Sequence, residues 1–227
     1  ADVLICPSER SLYVMRGFGC ENRIAIIPHG VDVPEISKLK PPPMRFVLGY
    51  LGSCAAPDKG VIYLLKAWKQ LNYQDGSMLI LAGRDSTSPF VHQLVERYGG
   101  GMIYLAGWQK KVGDFYNSLS VYCQPSSTEG FGCEVLESLA HGRPVICSEG
   151  AGAADIFQDG SEPARSGEVV PARNVNALAT AIDEGKQELT DREFGAMVSQ
   201  ECRDVAELYC WKNIRQRYVK IWKELQI

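Results

Sequence analysis

Two kinds of apolar pattern alternate along the chain. Short unbroken runs recur, such as Met78-Leu79-Ile80-Leu81-Ala82 and Val121-Tyr122-Cys123. Between them lie stretches whose apolar residues return every three to four positions, as Val61, Leu64, Leu65 and Trp68 do. Runs of the first kind read as buried strands and the second as amphipathic helices. The pattern predicts strands over 1–6, 23–27, 45–51, 78–82, 102–106, 121–124, 144–148 and 168–170. It predicts helices over 8–17, 59–71, 89–98, 112–119, 133–141 and 153–157, and three closing helices over 175–184, 191–207 and 211–225. Strands without polar alternation, each followed by a helix, imply an α/β fold: a Rossmann-like parallel sheet with helices on both faces. Ligands of such sheets lie at the carboxyl ends of the strands, near a topological switch point. The Gly-rich segments fall at those ends: 49–52, 83–85, 107–108 and 129–132.

Lys38-Leu39-Lys40-Pro41-Pro42-Pro43 interrupts the pattern. Three prolines cannot continue a helix or a central strand, so 37–44 reads as a stiff linker. It separates residues 1–36 from a regular unit over 45–206, and 207–227 forms a closing segment. The start, Ala1-Asp2-Val3, has neither an initiating Met nor a basic leader, which reads as the interior of a longer protein.

Composition narrows the function classes. The 227 residues carry 24 Lys+Arg and 27 Asp+Glu, a net charge of -3, so no global basic footprint for nucleic acid exists. No apolar run approaches the roughly 18 residues of a membrane span. Eight cysteines are scattered without a C-x-x-C pair, and His29, His92 and His141 lie far apart, so no zinc pattern is present. Thiols inside apolar runs, such as Cys123 and Cys147, read as free and buried in a reducing, cytoplasmic setting.

The chemistry concentrates in Pro125-Ser126-Ser127-Thr128-Glu129-Gly130-Phe131-Gly132-Cys133-Glu134-Val135-Leu136-Glu137, followed by Ala140-His141-Gly142-Arg143-Pro144-Val145-Ile146. A strand ends at Gln124, a loop carries Glu129, and two glycines open a helix. The free N–H groups of a helix start favour a phosphate or another polar ligand. Glu137, about one turn into that helix, can accept hydrogen bonds from a diol such as a ribose. Taken alone, two glutamates among 27 acidic residues are more readily solvated surface groups. The Gly-Phe-Gly between them gives the segment its specificity. His141 and Arg143 read as cations at that helix's end. Cys133 has no base beside it and reads as a structural residue.

This segment resembles the E-x7-E motif of retaining glycosyltransferases of the GT-B fold, the group called family 4. Ile27-Pro28-His29-Gly30-Val31-Asp32 resembles the family's I-P-N-G-V-D. Leu48-Gly49-Tyr50-Leu51-Gly52-Ser53 with Asp58-Lys59-Gly60 resembles its G-R…K-G segment, and Trp211…Trp222 its closing helix. The resemblance implies the C-terminal, donor-binding half of a GT-B enzyme, with the acceptor on a preceding domain of which 1–36 is the end. It implies that Glu129 lies beside the donor sugar and Lys59 neutralises the diphosphate. Gly52 and Ser53 flank the phosphates. The backbone of Gly130, Phe131, Gly132 and Cys133 holds sugar hydroxyls and phosphate. Glu137 takes the ribose, and Gly107 and Trp108 border the base. Ser53 stands where the family usually has Arg, and Arg84 is the candidate to supply that charge.

The implied reaction transfers a sugar from a nucleotide-diphosphate sugar to an acceptor glycan, sugar or lipid, with retention. No cofactor or metal is implied, and no D-x-D pair occurs. The expected partners are the nucleotide sugar and the acceptor, without nucleic acid. As an isolated fragment the chain is expected to be inactive and to self-associate through its truncated face; the longer protein is placed in the cytoplasm or peripherally on a membrane. The alternative is a nucleotide-sugar-binding module without catalysis, or half of a split enzyme. A dinucleotide-dependent dehydrogenase is disfavoured by the lack of G-x-G-x-x-G after Arg45–Leu51.

Overall fold

The computed structural model describes residues 1–157 and 165–225. Six parallel strands form the main sheet: β3 (Val47–Leu51), β4 (Met78–Ala82), β5 (Met102–Gly107), β6 (Val121–Gln124), β7 (Val145–Ser148) and β8 (Gly167–Val170). Their spatial order is β5-β4-β3-β6-β7-β8. The chain winds outward from β3 in one direction, then returns to β6 and winds outward in the other. The order reverses between β3 and β6, so the connections leaving these neighbours diverge and open a crevice at their carboxyl ends.

Helices cover both faces. Along β3, β4 and β6, Leu48, Tyr50, Leu79, Leu81, Val121 and Cys123 pack toward α2 (Val61–Leu71), α3 (Pro89–Tyr98) and α6 (Val175–Glu188). Val47, Ile80, Ala82 and Tyr122 pack toward α4 (Val112–Asn117), α5 (Cys133–Ala140) and α7 (Arg192–Leu208). Alternate side chains of each strand therefore enter two apolar cores, which is why the runs show no polar positions. Gly49 at the sheet centre leaves room for Leu119, whose side chain occupies the place of a Cβ.

Residues before the linker form a separate two-stranded parallel sheet, β1 (Leu4–Cys6) and β2 (Ile24–Ile26), joined by α1 (Glu9–Gly17). Ser8 caps α1 by accepting from the Ser11 N–H. The closing helix α8 (Trp211–Glu224) returns to this part: Val31 bridges to Cys210, and Arg23 pairs with Glu224 at 2.5 Å. The expected end of this segment at 226–227 lies outside the described residues. The Pro-rich stretch is anchored. The Lys40 N–H donates to Asn117 Oδ1 at 3.2 Å, and Asn117 Nδ2 donates to the Lys38 carbonyl at 3.1 Å.

Several element ends differ from the periodic reading, and two of the differences have a plain local reason. The helix expected from Lys59 begins at Val61. A single 3-10 turn, Pro57–Lys59, ends at Gly60, whose φ of +73° breaks the helical path. A Cβ at Gly60 would also overlap the Pro125 carbonyl oxygen. The break turns Lys59 away from α2 and toward the β6 loop. Gly60→Ala is expected to lower the thermal midpoint by several degrees and to displace Lys59. A thermal melt with a nucleotide titration checks this; an unchanged melt and unchanged binding would contradict it. The helix expected to stop at Glu184 runs to Glu188, because Gly185 packs beside Val121 instead of ending it.

Candidate donor site

The crevice at the β3/β6 switch point gathers the two residues of opposite charge. Lys59 follows β3 and Glu129 follows β6, 70 residues apart, and their side chains form an ion pair across the crevice. Both are largely screened from solvent, with side chains 25 % and 19 % exposed. The loops that carry them are fastened together: the Ser127 N–H donates to the Asp58 carbonyl at 2.7 Å.

The backbone of Glu129 is held independently of its side chain. Its N–H donates to the Gly150 carbonyl at 2.9 Å, and its carbonyl accepts from Gly152 N–H at 3.1 Å. Phe131 accepts from Ala153 N–H at 2.7 Å. With the main chain fixed, the carboxylate takes two donors: Lys59 through Oε2 and the Gly130 N–H through Oε1, at 3.1 Å. Gly132, at φ +96°, turns the chain into α5. Among the described residues, the Phe131 and Gly132 N–H groups have no acceptor, so they remain available to a ligand.

Glu137 lies one turn further along α5. Its Oε2 accepts from the Tyr116 hydroxyl at 2.8 Å. Burial, then the Glu137 charge, push the Tyr116 pKa well above that of a free phenol, so it stays a donor. His141 Nδ1 lies 2.7 Å from the Glu137 carbonyl oxygen, a helix-end contact, but burial lowers its pKa, so the ring makes it in neutral form and not as the expected cation. Arg143 does something else. It is 1 % exposed, and its guanidinium donates to the carbonyls of Tyr116 (3.1 Å), Asn117 (3.3 Å) and Lys40 (2.5 Å). It closes the end of α4 and ties the linker to it, instead of answering the end of α5. Burial lowers its pKa to about 10, which leaves it charged at neutral pH.

On the other side of Lys59, Gly52 and Ser53 follow β3. Ser53 Oγ donates to Asp85 Oδ2 at 3.4 Å, so a carboxylate stands next to the position. Arg84 contributes its carbonyl to the Cys54 N–H at 3.0 Å, while its side chain is exposed and has no partner among the described residues. Gly107 and Trp108 lie at the end of β5, two strands from β3, with Trp108 71 % exposed. The Gly83 N–H donates to the Gly107 carbonyl at 2.8 Å, so this corner belongs to the same sheet edge. Cys133 opens α5 facing the crevice. Desolvation by the crevice walls, with Glu134, Glu137 and Glu129 nearby, raises its pKa to about 11. It is a neutral thiol at physiological pH, which makes it a poor nucleophile.

Four residues contribute without a sequence signal of their own. Tyr116 reaches Glu137 across 21 residues. Ser8, the cap of α1, and Ser11 in its first turn both donate to the Gly130 carbonyl, at 2.7 and 3.0 Å. Arg10 donates to the Ser127 carbonyl at 3.3 Å and to Thr128 Oγ1 at 3.2 Å. Residues before the linker thus grip the glutamate loop. His29 stands edge-on to Phe131, with centroids 5.2 Å apart.

Residues 45–185 match the glycosyl transferases group 1 family. The chain belongs to this family. The group 1 domain accounts for β3 through most of α6, the part of the fold that builds the crevice. This chain is 30 % identical over 178 residues to a lipopolysaccharide core biosynthesis glycosyltransferase of Rhizobium meliloti, covering 78 % of this chain and 48 % of that protein. Its fold superposes on sucrose-phosphate synthase of Thermosynechococcus elongatus with a TM-score of 0.79, at 23 % identity over 99 % of this chain and 58 % of that one. It superposes on Anabaena HepE, solved with UDP, with a TM-score of 0.78, at 17 % identity over 99 % of this chain and 64 % of that one. These likenesses place the Rossmann-like parallel sheet among GT-B folds. The chain spans about half the length of the curated relatives it matches. Among the described residues, no helix is long and apolar enough to cross a membrane.

Proposed function

We propose that this chain supplies the nucleotide-sugar donor site of a retaining, family 4 glycosyltransferase, in which Glu129 and Glu137 are the two acids of the E-x7-E motif. The observation that carries the reading is the pairing of Lys59 with Glu129 over the N-terminus of α5, at the sheet's switch point. A diphosphate laid there meets a cation and unpaired N–H groups, which stabilise charge as it builds on the leaving nucleoside diphosphate. Strands lie about 4.8 Å apart, so β3 and β5 are separated by roughly 10 Å, a span suited to a nucleotide reaching from Lys59 to Trp108. Glu137, held by Tyr116, accepts the ribose hydroxyls between them. Anabaena HepE, of similar fold, was solved with UDP, which supports a nucleoside diphosphate as the ligand class. The acceptor is bound by a further domain, and the acceptor hydroxyl attacks from the face on which the diphosphate leaves. Neither a metal nor another cofactor enters this account.

Lys59 and Glu129 satisfy each other, and donor binding exchanges the partners. The diphosphate takes Lys59, and the sugar hydroxyls take Glu129. Glu129→Gln is therefore expected to tighten nucleoside diphosphate binding several-fold while removing the added affinity of the nucleotide sugar over the diphosphate. Calorimetric titration with both ligands tests this. Weakening of both by the same factor would remove the exchange. Retention is tested by NMR of the product's anomeric proton from the full-length protein. An inverted linkage would overturn that part of the reading.

A further inference from the structure

Both lone-pair positions of the Gly130 carbonyl are filled from outside its own loop. The Ser8 hydroxyl donates to it at 2.7 Å and the Ser11 hydroxyl at 3.0 Å. Ser8 is buried, and its oxygen accepts in turn from the Ser11 N–H at 3.0 Å, so the two hydroxyls form one locked pair. We propose that Ser8 and Ser11 are positioning residues for the donor: by holding the Gly130 carbonyl, they aim the N–H of the same peptide unit, that of Phe131, at the donor's diphosphate. This rests on the donor reading of the crevice.

Peptide geometry connects the two ends of that unit. A trans peptide holds its C=O and N–H in opposite directions, and no cis bond occurs among the described residues. With the carbonyl fixed against α1, the Phe131 N–H points away from α1, and it has no acceptor among the described residues. Glycine restrains a backbone less than any other residue, so Gly130 by itself does not set this direction. The units on either side are held by other partners. The Gly130 N–H donates to Glu129 Oε1 at 3.1 Å, and the Phe131 carbonyl accepts from the Ala153 N–H at 2.7 Å. The unit between them is left to the serines. Two donors on one carbonyl also polarise the peptide, which strengthens its N–H as a donor. The approach depends on a gap at Gly152, where a Cβ would overlap both the Gly130 carbonyl oxygen and the Ser8 hydroxyl. Arg10 fastens α1 to the same loop ahead of Glu129, through the Ser127 carbonyl and Thr128 Oγ1.

The test titrates wild type, Ser11→Ala, Ser8→Ala/Ser11→Ala and Ser11→Thr with UDP, GDP and ADP and with the matching nucleosides. Thermal melts establish that each variant is folded. Ser11→Ala leaves the Ser8 side chain in place at the start of α1. It is expected to weaken binding of the preferred diphosphate about fivefold, the loss of one hydrogen bond. The double variant should lose about tenfold or more. Ser11→Thr keeps the hydroxyl and should bind as wild type does, and nucleoside binding should hold throughout. Gly152→Ala keeps both serines but wedges them from the carbonyl, and should reproduce the double variant. In nitrogen-15-labelled protein, the Phe131 amide signal should move downfield when diphosphate is added to wild type or Ser11→Thr, and stay in place in the double variant. Folded variants that bind the diphosphate as tightly as wild type overturn the inference and leave the donor reading standing. So does a wild-type Phe131 signal that ignores a bound diphosphate, or an equal loss for the nucleoside. If wild type binds none of the three diphosphates, the donor reading fails and the inference with it.

Discussion

Replacing Lys59 by Met is expected to weaken nucleoside diphosphate binding by about 100-fold and to leave the nucleoside alone. Truncating one member of a screened, hydrogen-bonded charge pair costs about 2–5 kcal/mol, and much of it comes from the partner left behind. Here the partner is Glu129, which would remain in the crevice with only the Gly130 N–H as donor. Its charge would then repel the ligand as well. The double variant Lys59→Met/Glu129→Gln separates the two effects: it should recover part of the loss. Titration of both variants with the diphosphate and the nucleoside reads this out. An equal loss for the nucleoside would mean that Lys59 shapes the crevice instead of holding phosphate.

Arg143→Met is expected to destabilise the fold by about 3 kcal/mol or more without touching the site chemically. The Met fills much of the volume but leaves three inward carbonyls, those of Tyr116, Asn117 and Lys40, without their donor. Each unsatisfied buried group costs about 1–3 kcal/mol. For a chain of this size the loss corresponds to a drop of roughly 10 °C in thermal midpoint. Arg143→Lys keeps the charge but cannot reach three acceptors and should fall between. Because Tyr116 sits in the same helix end and also bonds Glu137, the Met variant should weaken nucleotide binding as a secondary effect. Chemical denaturation measures the first effect. A loss under 1 kcal/mol would show that the carbonyls find other partners.

The sheet and most of its helices were legible from apolar pattern alone, because each buried strand is a local run and each helix has its own period. Met78–Ala82, Pro89–Tyr98 and Val121–Gln124 show this, with the same limits in sequence and structure. Boundaries set by tertiary approach were not legible. The shift of α2 to Val61 depends on Gly60 meeting the Pro125 carbonyl, 65 positions away. The same distinction divides the site. Glu129, Glu137 and Lys59 stand out through the Gly-rich segments around them. Tyr116 beside Glu137, and Ser8, Ser11 and Arg10 beside the glutamate loop, are unremarkable in sequence, since only folding brings them there. Arg143 was visible as a cation at a helix end; that it serves α4 instead of α5 follows from how the two helices lie on one face of the sheet. The Ser53 departure was plain, whereas the carboxylate of Asp85 next to it emerged only from the turn between β4 and α3.

The central claim is that the crevice between the β3 and β6 loops holds a nucleoside diphosphate, with Glu137 on its ribose. Calorimetric titration of the chain with UDP, GDP and ADP, repeated on Glu137→Ala, tests it most directly. The account predicts binding of one of the three, about tenfold or more weaker in the variant. Binding that ignores Glu137, or no binding to any of the three, would contradict it.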